Sequence, residues 1–260
     1  MELKQATPKA RIVAWTHYDQ SGVDEALADC GIYEWKPSGP DDACNLIELA
    51  GKSCYMSFDL AANKNLTMVN GRSNHDYIQQ GIIGNHHGSC LEHATVSVMF
   101  TNVSRIVTHE LVRHRAGAAF SQTSGRYVRN EIDTFYVPDA IEANPKAKAA
   151  YLKAVEGMNE ALRAMEEATS VNTLPFAEKK ALTSAFRRVI GNGQPNNLLM
   201  TANHRTWRHV IELRTSVHAE EEVRKVVRDL AVQLKHRFPT IYDDMSINEA
   251  GECVFKHSKV

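Results

Sequence analysis

The feature that most restricts the fold is an irregular alternation of β-branched apolar runs and amphipathic stretches. The run ATVSVMF over residues 94–100 reads as a strand. A helical pattern follows over about 103–115, which Asn102 or Ser104 can cap. The run LLMTA over 198–202, a short buried strand or a helix entry, leads into helices at about 203–216 and 220–238. Further helices are expected over 42–55, over 75–83 with Gly84 at the end, and over about 146–170 and 175–189. Residues 31–42, 63–74, 117–125 and the GNGQPNN segment from Gly191 read as loops. Residues 126–135 read as a strand or a bent extended segment. No strand–helix–strand unit repeats, so the expected class is α+β.

Charge and cysteine usage bound the partners. Thirty basic and 31 acidic residues leave a net charge of −1, which argues against a polycation for nucleic acid or an acidic tail. No apolar run approaches the roughly 18 residues of a membrane span. Residues 1–11 carry charges but no apolar segment, so no signal peptide is expected. The five cysteines form no C-x-x-C pair, which fits a reduced, cytoplasmic chain.

Nine of the 12 histidines lie between His75 and His218, which first suggests a metal. The one zinc-like string, HELVRH from His109 to His114, sets its histidines five apart instead of i and i+4. No metal site is therefore expected. GKS at 51–53 has Leu46 where a phosphate loop needs its first glycine, and GNG at 191–193 runs into Gln-Pro.

The informative residues are charged groups on apolar helix faces. On the helix from Val103, Glu110 and His114 share the face of Val107 and Leu111, flanked by Arg113 and Arg115. On the helix from Asn203, Arg214 and His218 continue the stripe of Trp207, Val210 and Ile211, while Arg205 and His209 form an i, i+4 pair. An arginine on such a face needs an anion, either an internal carboxylate or a ligand. The linking segment AGAAFSQTSGRY offers small residues, the side chains of Ser121, Gln122 and Ser124, and the charge of Arg126. Taken together, these groups suit a compact phosphorylated ligand.

These residues resemble the flavin-dependent thymidylate synthases. The family hallmark is Arg-His-Arg, a seven-residue gap, then Ser running on to Arg-Tyr. Here it reads RHR at 113–115 and SQTSGRY ending at Tyr127, with a gap of eight. HGSCLEH (87–93), NHRTWRHVIELRTSVHAE (203–220) and, more weakly, AGKSCY (50–55) also match, so the similarity spans roughly 45–240. The family's Arg-x-x-Leu-Pro segment is shortened by one after Arg188, and Lys52 stands where Arg is common.

The resemblance implies reductive methylation of dUMP to dTMP, with methylenetetrahydrofolate as carbon donor, FAD for hydride and NADPH as reductant. It implies a homotetramer with shared active sites. It also implies a single α+β domain over 1–260 with a central, mostly antiparallel sheet packed with long helices, in which 1–44 and 239–260 are peripheral. By matching position, Ser89, Glu92, Arg113, His114, Arg115, Asn203, Arg205, His209 and His218 would hold FAD. Glu110, Gln122, Ser124, Gly125, Arg126, Arg188 and Arg214 would hold the nucleotide. Arg214, Ser124 and His87 would lie at the chemistry, with Arg214 stabilising charge on the pyrimidine carbonyls. Two alternatives use the same arginines. One is a relative that methylates or hydroxymethylates another pyrimidine nucleotide such as UMP. The other is a non-catalytic nucleotide- or RNA-binding protein.

Overall fold

The structure is a computed structural model that describes residues 3–59, 63, 71–128 and 133–260. The chain begins with β1 (Lys4–Gln5), β2 (Lys9–Trp15), α1 (Gln20–Asp29), α2 (Asp42–Tyr55) and α3 (Asn74–Asp76), which continues as a π-helical stretch over Tyr77–Ile83. After β3 (Thr95–Ser104) come α4 (Arg105–Leu111), β4 (Ala118–Gln122), β5 (Thr134–Phe135), α5 (Asp139–Glu142), α6 (Pro145–Ala168) and α7 (Phe176–Phe186). The chain then runs through β6 (Pro195–Asn203), α8 (His204–Arg214), α9 (Glu221–Arg237), β7 (Met245–Ile247) and β8 (Cys253–Phe255).

The central sheet has the order β2-β3-β6-β4, and each neighbouring pair is antiparallel. Alternation within β3 explains its placement. Val96, Val98 and Phe100 are fully buried, while Ser97 and Met99 point to the other face. Leu198, Met200 and Ala202 of β6 do the same, and the expected stripe of α8 (Trp207, Val210, Ile211) packs with them. The Trp207 indole N–H donates to the Val96 carbonyl at 3.1 Å. Val107 and Leu111 of α4 and the apolar face of α9 complete the core.

The α+β expectation holds, with local differences. The expected loop at 117–125 contains β4, whose mostly small residues carry only a weak strand pattern, with Ala118 and Phe120 toward the core. It is ordered by backbone pairing of Ala118–Gln122 with Leu198–Ala202. β3 runs on to Ser104 through a bulge in which Asn102 has φ +55°, so α4 starts two residues later than expected, with Ser104 as its cap. The GNGQPNN segment enters β6 at Pro195.

The outer segments also differ from expectation. β2 is a strand of the central sheet, and Ile241, Tyr242, Cys253 and Val260 lie in the core, so neither end of the described chain is merely peripheral. Parts of the expected 63–74 loop and 126–135 extended segment fall outside the described residues. Among the described residues, no helix is long and apolar enough to cross a membrane. Among them, too, no group of three or more His, Cys, Asp or Glu is placed to hold a metal ion.

Candidate active site

Each arginine-bearing helix starts at the end of a strand. Ser104 caps α4 where β3 ends, and Asn203 caps α8 where β6 ends, accepting from the Thr206 amide at 2.8 Å. Because β3 and β6 are antiparallel, the two helices start from opposite ends of the sheet, and the turn after α4 meets the last turn of α8.

At that meeting Arg214 Nε donates to His114 Nε2 at 2.8 Å. One η nitrogen of Arg214 pairs with the Glu110 carboxylate, and the other donates to the Glu110 carbonyl at 3.2 Å. An imidazole nitrogen accepts from a guanidinium only when His114 is neutral, with its proton on Nδ1. Burial, then the charge of Arg214, then His209 push His114 down to about 4, so that state holds at neutral pH. Three of the five Arg214 N–H groups are committed, and two remain for a ligand. The His209 ring stands edge-on to His114, with centroids 5.7 Å apart.

Beside this cluster opens a cleft of about 660 Å³, lined by Arg113, Arg115, Asn203, Arg205, His209 and Glu92 among others. Its size suits a cofactor. Arg205 pairs with Glu92 at 2.5 Å. Among the described residues, Arg113 and Arg115 form no ion pair. Gly117, at φ +64°, lies against Asn203, and a Cβ there would sit 2.2 Å from the Asn203 amide nitrogen. The backbone at that position therefore admits only glycine.

A second arginine cluster lies at the far end of β4. Near its start the Asn203 amide donates to the Gly117 carbonyl, and just past its end the Thr123 amide donates to the Asn197 carbonyl. Six residues of β6 separate these points, roughly 20 Å. The turn after β4 is closed by Ser124, whose hydroxyl accepts from the Arg126 amide at 3.3 Å. Gly125 and Arg126 line a cleft of about 650 Å³ together with Arg105, Lys180 and Arg187. Burial, followed by the Arg187 charge, holds Arg105 below the ordinary arginine range. Like charges pressed together in this way are a standing demand for an anion.

The sequence-based site residues are thus divided. Glu92, Arg113, His114, Arg115, Asn203, Arg205 and His209 line the cleft at one end of β4, and Arg214 and Glu110 join it through His114. Gly125 and Arg126 line the cleft at the other, with Ser124 in the same turn and Gln122 as the last residue of the strand. His87 and Ser89 line a third cleft of about 430 Å³ with Lys52 and Tyr77. His218 is exposed beyond α8, close enough to Glu252 to help lower its carboxyl. Arg188 is exposed and lines none of these clefts; its neighbour Arg187 does. The reason is angular. Lys180, Thr183 and Arg187 recur at helical spacing on one face, whereas Arg188 is turned about 100° away. That spacing was legible in the sequence. The depth of Arg208 was not: it is buried on α8 and held by a bidentate pair with Asp244.

Comparison with known proteins gives the family and the fold. The family model described as Thymidylate synthase complementing protein matches residues 38–240. A flavin-dependent thymidylate synthase of Corynebacterium efficiens is 33% identical over 211 residues, 80% of this chain and 81% of the relative. That of Corynebacterium glutamicum is 33% identical over 223 residues, 84% and 86% of the two chains. Two solved structures share the fold. A UMP/dUMP methylase, PolB, from Streptomyces cacaoi bound with 5-Br dUMP has a TM-score of 0.63 at 17% identity, covering 94% of this chain and 96% of its own. The flavin-dependent thymidylate synthase ThyX from Helicobacter pylori, complexed with FAD and dUMP, has a TM-score of 0.60 at 17% identity, covering 91% and 98%. With the family model spanning most of the chain and relatives one-third identical over four-fifths of it, this protein belongs to the flavin-dependent thymidylate synthase family.

Proposed function

We propose that this protein reductively methylates dUMP to dTMP, taking carbon from methylenetetrahydrofolate and reducing equivalents from NADPH through bound FAD, in the cytoplasm. The observation that carries the reading is the pair of ligand-sized clefts holding guanidiniums, Arg113 and Arg115 in one and Arg105, Arg126 and Arg187 in the other, that form no ion pair among the described residues. FAD fits the cleft of Arg113, His114, Arg115, Asn203 and Arg205, in which Arg113 and Arg115 have no ion pair among the described residues and match a diphosphate. The flavin supplies the hydride chemistry, and the chain supplies orientation and electrostatics. The dUMP phosphate fits Gly125 and Arg126, joined by Arg105, Lys180 and Arg187.

Arg214 is the cation for the pyrimidine carbonyls. Glu110 and neutral His114 fix its plane, and its two remaining N–H groups would meet charge that develops as C5 attacks the methylene carbon. The Ser124 hydroxyl accepts from the Arg126 amide within its own turn, which supports a role in shaping the phosphate loop. A homotetramer in which one copy's Arg126 cleft meets another copy's Arg214 would bring the groups of the two clefts into one shared site.

The test is release of the C5 hydrogen of dUMP by purified, yellow protein in the presence of methylenetetrahydrofolate and NADPH. Colourless protein that takes up no added FAD would sink the reading. UMP belongs in the same assay, because the gap from Arg115 to Ser124 is one residue longer than the family pattern. Preferential turnover of UMP would replace dUMP as the substrate.

A further inference from the structure

The cleft of Arg113, Arg115 and Arg205 has a second wall that neither the helix motifs nor the family blocks contain. Ser258, Lys259 and Val260 line it, following β8. This wall is built in. Arg208, 4% exposed, pairs with both carboxylate oxygens of Asp244 at 2.7 and 2.9 Å. It also donates to the His257 carbonyl at 3.1 Å, with its guanidinium 4.1 Å from the Phe255 ring centre. Asp244 Oδ2 accepts from the His257 amide at 3.2 Å. At the far end the Val260 carbonyl accepts from Arg205 Nε at 2.9 Å, and Val260 itself is buried.

The seat for Val260 depends on Gly88. A Cβ at that position would lie 2.4 Å from the Val260 carbonyl carbon. Lys259, between the two anchors, is held at φ +56°, a conformation uncommon outside glycine and asparagine. Among the described residues its ammonium has no ion pair. Clamped on both sides and strained in the middle, the segment sets Lys259 on the rim of the cleft that holds Arg113 and Arg115.

We propose that residues 257–260 are part of the cofactor site, and that Lys259 is a binding residue for the diphosphate of a dinucleotide, here FAD. This rests on the functional reading above. Arg208 acts at one remove, as the positioning residue that holds the wall. The cleft is then completed by this segment rather than plugged by it, since three hydrogen bonds and a buried Val260 side chain would have to be given up to swing it out.

Equilibrium titration with FAD, followed by flavin fluorescence, tests the assignment on the full chain. Lys259→Ala should weaken FAD about fivefold and Lys259→Glu about tenfold or more, with the melting temperature unchanged, because Lys259 is exposed. The loss with Lys259→Ala should shrink as salt is raised. A variant lacking 257–260 should bind at least as poorly as Lys259→Glu. Parent-like or tighter binding by Lys259→Glu overturns the proposal, and tighter binding by the deletion would make the segment a plug. A parent protein without flavin affinity overturns the functional reading, and this proposal with it. A parent that binds FAD beside a Lys259→Glu variant that binds equally well overturns this proposal alone.

Discussion

Arg214 illustrates why an arginine, and not merely a cation, stands at the end of α8. It donates to three acceptors in two directions, the His114 ring and both the side chain and backbone of Glu110. A lysine keeps the charge but not the fork. Arg214→Lys should therefore lower kcat by about 10²-fold or more while thermal unfolding stays within a degree or two; a variant with normal turnover would remove the electrostatic role. The stability of the molecule should also report on its buried titrating groups. Burial pushes His204 down to about 3 and His114 to about 4, so both resist protonation in the folded state. Their contribution is fully present above pH 6.5 and is lost as pH falls towards those values. Glu222 acts in the opposite sense. Burial raises it to about 7, and one of its carboxylate oxygens has no partner. Its ionisation therefore destabilises the fold as pH rises from about 4.5 to 7. Between pH 4.5 and 8, Glu222→Gln should gain about 3 kcal/mol of stability relative to the parent, measured by urea unfolding at both pH values. A pH-independent difference would show that Glu222 is not the group responsible.

At the level of elements, the placement of α7 and of the turn after it decides which of two adjacent arginines lines the cleft of Gly125 and Arg126. Lys180 and Arg187 share the face that looks on Gly125 and Arg126, and Arg188 does not. Arg187→Ala should raise KM for dUMP about tenfold or more, and Arg188→Ala should leave it within about twofold. Steady-state kinetics on the pair of variants reads this directly, and the reverse order would return the role to Arg188. The edge strand β4 is held at its start by Gly117 against Asn203. Gly117→Ala places a methyl group where the Asn203 amide stands and forces a positive φ on alanine, so it should cost about 2 kcal/mol or more and weaken FAD with it. Helices with a strong apolar stripe were legible in the sequence to within a residue or two, as α2, α6 and α9 show. β4 was not. Ala118 and Phe120 face the core and Ala119 and Ser121 do not, but with one large apolar side chain in five residues the alternation is weak, and pairing with the open edge of β6 makes the segment a strand.

On the scale of the whole molecule, the proposed cofactor and phosphate clefts lie at the two ends of β4. If a second copy joins them, variants broken in different halves should rescue each other. Mixing Arg126→Ala with Arg113→Ala through partial unfolding and reassembly should restore about a quarter of parental activity, since about one site in four then receives two intact halves. No recovery from two folded, reassembled variants would place each active site within a single chain. The sequence by itself determined the chemistry of this protein: which cations are present, in what local spacing, on which strand–helix units, and to what family they belong. Those are local properties, set by helical and strand periodicity over a few residues. The tertiary structure alone decided which arginines are spent internally, as Arg208 is on Asp244, and which form no ion pair among the described residues, as with Arg113, Arg115, Arg105 and Arg187. Pairing and desolvation depend on what distant segments bring within about 4 Å. Nothing in the spacing around residue 208 announces that residues 244 and 257 will close over it.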